Sequence, residues 1–305
     1  MVSRCEMRFR IRFSLFVLTA LTTFTVGVLV ASRQQKLVSP SHVLTALPQL
    51  RELAAWQVLL SFQDRDLNRL DFESASVLRQ AIEATTGKAV PDNAASFFRP
   101  RVFHRLLNTQ GEPRYLLVEY APLMIIPGNS YLRINVFGAG GRLLNTEVFS
   151  ARRTILTSIE IRQMRALHHE LLVVDTDYCL GGNKTREFYA LVGNRITPVY
   201  VEQDGRFDAT ETTVAPRMER SVAEWETALN SDDDVEALSS LLWLGAHHWT
   251  GRPMHYVENE GLKVSTMLAR EDVRARLRAL SQSANPWIKT AARSILNPNE
   301  TFRRM

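Results

Sequence analysis

Nineteen consecutive residues, Phe13 to Ala31 (FSLFVLTALTTFTVGVLVA), carry no charge. As a helix they span about 28 Å, close to the hydrocarbon thickness of a bilayer. Arg4, Arg8, Arg10 and Arg12 stand before this run, whereas the residues after it are mixed in charge. The positive-inside rule then places the N-terminus in the cytoplasm and everything beyond about residue 32 outside it. A cleaved signal peptide is the competing reading. The apolar run exceeds the usual roughly 7 to 15 residues of such peptides, and Val30-Ala31-Ser32 is a poor cleavage pattern. The expectation is an uncleaved single-pass anchor in a bacterial inner membrane with an extracytoplasmic domain, and secretion after signal cleavage is the alternative.

That topology accounts for the basic character of the chain. The formal net charge is +5 and the pI about 9.4. Residues 1–36 hold Arg4, Arg8, Arg10, Arg12, Arg33 and Lys36 against Glu6, so the entire surplus lies there. In the remainder, 31 basic and 31 acidic residues cancel. A duplex-binding domain needs a surplus of cations to displace counterions from phosphates, and this one has none, so no nucleic-acid partner is expected. Cys5 and Cys179 fall on opposite sides of the membrane and cannot pair. The exported part must therefore stand on its own core.

Beyond a polar connector the pattern changes twice. Segment 32–43 is read as a linker and 44–207 as an exported α+β domain. Its first part is helical. In LPQLRELAAWQVLLSFQ, Pro48 suits a first helical position, and Leu50, Leu53, Trp56 and Leu60 recur on one face. In ESASVLRQAIEATTG the stripe is Val77, Leu78, Ala81 and Ile82, with Gly87 as the stop. From about Arg101 to Phe207 the period shortens to that of strands. RYLLVEYA, YLRINVF and RLLNTEVF read as strands, the last two joined by a glycine-rich turn. REFYALV and RITPVYVE form a hairpin about Gly193-Asn194, with Pro198 suggesting an edge and Asp204-Gly205 a further turn. The expectation is an antiparallel meander of about six to eight strands with the early helices on one face.

A low-hydrophobicity stretch, 208–220, reads as a linker, and 221–305 returns to helical period. SVAEWETALN places Val222, Trp225 and Leu229 together. SDDDVEALSSLLWLG opens with the acids Asp232, Asp233 and Asp234 at the positive end of a helix and stops at Gly245. A loop separates these from EDVRARLRALS and NPWIKTAARSIL. In the latter Asn285 caps, Pro286 takes the first position, and Trp287, Ala291 and Ile295 form the stripe. The two helix pairs begin about fifty residues apart. With ANPWIKTAARSIL they make this region resemble HEAT-like α-hairpin repeats, over less than a third of the chain. That resemblance implies a protein-binding surface, hence a protein partner through the C-terminal helices. A small helical subdomain packed on the β region is the alternative.

The catalytic candidates are few. In LLVVDTDYCLGG an apolar strand runs into Asp175-Thr-Asp177, which resembles the first motif of haloacid-dehalogenase-type phosphohydrolases. There one carboxylate is the nucleophile and a second, two residues on, the general acid. Tyr178 and Cys179 depart from that motif, and GGNKTREFYALV after it reads as turn and strand, not helix. Asp175 and Asp177 are therefore expected in a strand end and polar turn. His247, His248 and His255 could supply nitrogen ligands to zinc, but their spacing matches no familiar site, and a loop after a helix end explains them. His168, His169 and Glu170 would be split by strand alternation. Cys179 near Lys184 is read as an inert thiol. No catalytic, metal or cofactor residue is assigned. The expected role is non-enzymatic binding or scaffolding at the membrane. The alternatives are an extracytoplasmic hydrolase, and a small-molecule sensor using a cavity between the sheet and the early helices.

Overall fold

The computed structural model describes residues 51–87, 99–123, 129–151, 154–178, 184–209, 220–249 and 258–297. The segment Phe13–Ala31, expected to be an anchor, lies outside them. No helix among the described residues is long and apolar enough to cross a membrane. The layers that follow belong to one compact unit, residues 52–305.

The chain is α+β and its sheets are antiparallel. Strands β1 (Arg99–Leu107), β2 (Pro113–Leu123), β3 (Asn129–Gly138) and β4 (Leu143–Ala151) form one meander. Strands β5 (Thr154–Met164), β6 (His169–Tyr178), β7 (Lys184–Val192), β8 (Arg195–Gln203) and the two-residue β9 (Arg206–Phe207) form a second. A meander of about six to eight strands was the expectation, and the division into two sheets follows from burial. In β2, Leu116 and Val118 face one way and Tyr115 and Leu117 the other, and all four join a hydrophobic cluster. A sheet that is apolar on both faces must be covered on both. The inner faces meet through Leu116, Val118, Ile134 and Val136 on one side and Leu172, Val174, Tyr189 and Leu191 on the other.

Helices α1 (residues 51–60) and α2 (Phe72–Thr86) cover the outer face of the first sheet, where Trp56, Leu59, Leu78 and Ile82 pack on Phe103, Leu117 and Phe137. Asp71 caps α2 by accepting from Ser74 N at 2.7 Å, and Gly87 ends it in the left-handed region at φ 65°. The expected stripe on α1 is rotated. Leu53 is 53% exposed, and the buried face is Ala55, Trp56 and Leu59, continuing to Phe62 beyond the helix end. Apolar residues nearly encircle this helix, so spacing alone leaves its buried side undetermined.

The second sheet is covered by α3 (Val222–Leu229), α4 (Asp234–Trp249), α5 (Glu258–Ala269), α6 (Glu271–Leu280) and α7 (Pro286–Leu296). The result is four layers, helix–sheet–sheet–helix. Trp287 of α7 stacks on Tyr200 at 4.5 Å and meets Phe188 at 4.7 Å. Leu241, Leu277, Ile288 and Ile295 share one core with Leu171, Val173 and Val201. Two expectations need correcting. Helix α4 continues through Gly245 to Trp249, because a bare Cα is needed there: a Cβ on Gly245 would come within 2.8 Å of Ala209 Cβ. Helix α5 occupies part of the stretch read as a loop, its apolar residues Val264 and Met267 buried against the same core.

One end of the sandwich is tied by turn chemistry. Buried Asn108 donates to Gly193 O at 2.9 Å, Gly193 N donates to Gln110 Oε1 at 2.8 Å, and Arg114 Nε donates to Asn194 Oδ1 at 2.7 Å. Side chains of β1, β2 and their turn thus satisfy backbone and side-chain polar groups at the tip of the β7–β8 hairpin across the two sheets.

Candidate ligand pocket

The opposite end of the first sheet is open. Between it, α2 and a short 3-10 helix (Leu67–Arg69) lies a cavity of about 570 Å³. This is within the range of small-molecule sites. Its sheet side carries Arg99, Pro100, Arg101, Glu119 and Arg133, and its helix side Leu67, Leu70, Phe72, Ala75, Arg79 and Ile82.

Local structure aims these side chains. The β1–β2 register slips between Pro100 and Val102, leaving Arg101 as the extra residue of a bulge. Bulges re-aim a side chain and interrupt the ladder. Arg101 Nη1 donates to Asn68 Oδ1, and its guanidinium carbon lies 5.2 Å from the Tyr120 ring centroid. Its buried Nε finds no acceptor among the described residues. Burial pushes the guanidinium below the ordinary arginine value; Tyr120 opposes this and Arg99 adds to it. An arginine stays charged at neutral pH regardless. Arg101 is thus a partly desolvated cation with a donor unspent, which favours an anion nearby.

The one carboxylate among the described lining residues is already committed. Glu119 is 2% exposed and receives Arg133 Nε at 2.6 Å and Nη2 at 2.7 Å, with Asn135 Nδ2 at 2.8 Å. Thr146 Oγ1 extends the chain to Asn135 Oδ1 at 2.9 Å. Four arginines therefore face a cavity with one acid on its described walls. Arg79 leans on Glu83 along α2 at 3.0 Å. What this lining can do chemically is hold an anion through planar, forked donors.

The residues singled out from sequence lie elsewhere. Asp175 sits in β6 opposite Arg186 of β7, accepting from its Nε at 2.7 Å and Nη2 at 3.1 Å and from Ser158 Oγ at 2.8 Å. Burial alone would raise its carboxyl, but the bonds from Arg186 and Ser158 prevail and hold it below the ordinary value. A carboxylate gripped in this way is structural. Asp177 pairs with Lys184 in the ladder. Asp233 caps α4 by accepting from Val235 N at 2.8 Å, and Asp234 accepts from Asn285 at 2.8 Å. His247 and His248 fall within α4, where a loop was expected. His255 and Cys179 lie outside the described residues. No cluster of three or more metal-ligating side chains occurs among the described residues.

A second polar group was not anticipated. His104 of β1 meets Asp64 through Nδ1, and its Nε2 lies 3.5 Å from Glu170 Oε1 of β6. Asp64, in the left-handed region at φ 58°, also donates its N–H to Phe103 O at 2.9 Å. This group joins both sheets to the turn after α1. His168 stands at φ 56° in the β5–β6 turn and His169 opens β6, so Glu170 works apart from both.

No protein family matches this chain, and neither the curated proteins nor the solved structures contain a significant match.

Proposed function

We propose that this is a membrane-anchored, extracytoplasmic binding protein whose ligand, an anionic small molecule, occupies the cavity between the first sheet and α2. The observation that carries this reading is the convergence of Arg99, Arg101 and Arg133 on a cavity whose only described wall carboxylate, Glu119, is taken up by Arg133. The anchor expected at Phe13–Ala31 would hold this domain close to the membrane surface. A binding role on the C-terminal helices has less to draw on. Their apolar residues, among them Leu277, Leu280, Ile288 and Ile295, are used in the core that these helices share with the second sheet.

The test is thermal unfolding of the full chain in nanodiscs against a panel of phosphate, carboxylate and neutral compounds. A ligand that binds only the folded state raises the melting temperature by mass action, about 2.7 kcal/mol at a hundredfold excess over Kd. Anions should raise it saturably in the parent and much less in Arg101→Met. A flat response across the panel, or an equal rise in Arg101→Met, would remove the pocket from consideration.

A further inference from the structure

We infer that the ligand is an anionic amphiphile, its head held by Arg99 and Arg101 and its apolar body lying along Leu70 and Ala75 toward Phe72. This rests on the cavity being the ligand site and adds what kind of anion fills it.

The cavity has two chemically different walls. Its sheet side presents guanidinium groups; its helix side presents Leu67, Leu70, Ala75 and Ile82. An inorganic anion would use the first wall and leave Leu70, Ala75 and Phe72 against water, beside Leu67 and Ile82, which the helix–sheet core already buries. The volume of about 570 Å³ also suits a drug-sized molecule better than a bare phosphate. Phe72 completes the argument. It borders the cavity and is 92% exposed, at the first position of α2 beside its cap Asp71. A first helical position makes no demand for an aromatic residue, and this ring contributes little to the core. Left in water it gains nothing, whereas over the end of a bound apolar chain it would bury substantial area. The charged end is complementary in the same way. Arg99 and Arg101 both border the cavity, and a carboxylate or phosphate head there would meet two guanidinium groups.

The experiment measures affinity by isothermal titration on the full chain in nanodiscs of neutral lipid. The probes are inorganic phosphate, acetate, decyl phosphate, decanoate and decyl maltoside, all below their micellar concentrations, followed by vesicles containing phosphatidylglycerol. Each methylene withdrawn from water is worth roughly fourfold in affinity. Decyl phosphate and decanoate should therefore bind at least about tenfold more tightly than phosphate and acetate. Phe72→Ala, at an exposed site that leaves folding intact, should erase several-fold of that gain without changing phosphate binding. Arg101→Met should weaken both anionic amphiphiles. Equal affinities for phosphate and decyl phosphate would overturn the amphiphile and leave anion binding standing. Decyl maltoside binding as well as decyl phosphate would overturn the anionic head and the pocket reading together. Binding to anionic vesicles but to no monomeric probe would move recognition to the bilayer surface and overturn the inference.

Discussion

Arg133 stands directly across the β2–β3 ladder from Glu119 and closes on its buried carboxylate with Nε at 2.6 Å and Nη2 at 2.7 Å. The Glu119 side chain is 3% exposed and that of Arg133 18%. Removing one member of a buried pair leaves the other charged and desolvated, at a cost of about 3–5 kcal/mol. Arg133→Met should therefore lower unfolding stability by about 3 kcal/mol, measured by urea titration. Glu119→Gln preserves shape and should cost less, while leaving the cavity one unit more positive. It should tighten anion binding, most of all at low salt. Equal destabilisation by the two changes would contradict this asymmetry.

Gly141 supports the other end of the same face. It sits in the β3–β4 turn at φ +83°, and a Cβ there would fall inside the Trp56 indole. Both the backbone conformation and the close approach require glycine. Trp56 in turn packs edge-on against Tyr115 at 4.9 Å and Phe103 at 5.9 Å, so it cannot retreat without opening the helix–sheet core. Gly141→Ala should destabilise by about 2–4 kcal/mol, combining strain and overpacking. A variant that melts within a degree or two of the parent would show that α1 is not seated on this turn.

The C-terminal helices are expected to be inseparable from the β region. Ending the chain after Arg220 would remove α3–α7 and bare Leu171, Val173, Phe188, Tyr200 and Val201 of the second sheet. A contiguous apolar face of that kind promotes aggregation. The truncated protein should be insoluble or bind hydrophobic dyes without cooperative unfolding. A soluble product with a sharp transition would mean that the helical layer is an independent domain.

These cases also show what sequence patterns can convey. Gly87 as a helix stop, Asn285-Pro286 as a helix start and Gly193-Asn194 as a hairpin turn were all legible, because each is decided by a few adjacent residues. The split of the strands into two sheets was not. It depends on which face of Leu116 and Leu117 finds a partner more than fifty residues away. The cavity was legible only as a possibility between the sheet and the early helices. Arg99 and Arg101 reach it from β1 and Arg133 from β3, and no local spacing announces that convergence. The bulge at Arg101 is equally silent, since an extra residue in a strand shows only in its register against the neighbour. Asp175 stood out in sequence for the opposite reason. An apolar run ending in two acids draws notice, although Arg186, its partner, was already visible eleven residues on.

Asp175 contributes to the acid limb of stability. Burial works to raise its carboxyl, but the hydrogen bonds from Arg186 and Ser158 outweigh burial and hold the folded value below the ordinary 3.8. A depressed folded value means that the unfolded chain takes up the proton first. The contribution is therefore whole above the ordinary Asp titration and is lost as pH falls through 3.8 and then through the lower folded value. Glu202 on β8 runs the other way. Burial raises its carboxyl, Arg186 opposes this, and the charge on Asp175 adds to it, so acid relieves Glu202 earlier. Asp175→Asn should cost about 1–2 kcal/mol at pH 7, a modest figure because the Arg186 side chain is 40% exposed. The gap between parent and variant should then narrow steadily from about pH 5 to pH 3. Urea titrations at pH 7, 5, 4 and 3 measure it directly. A gap that stays constant across that range would mean that Asp175 contributes through packing, and that its ion pair with Arg186 adds nothing to the fold.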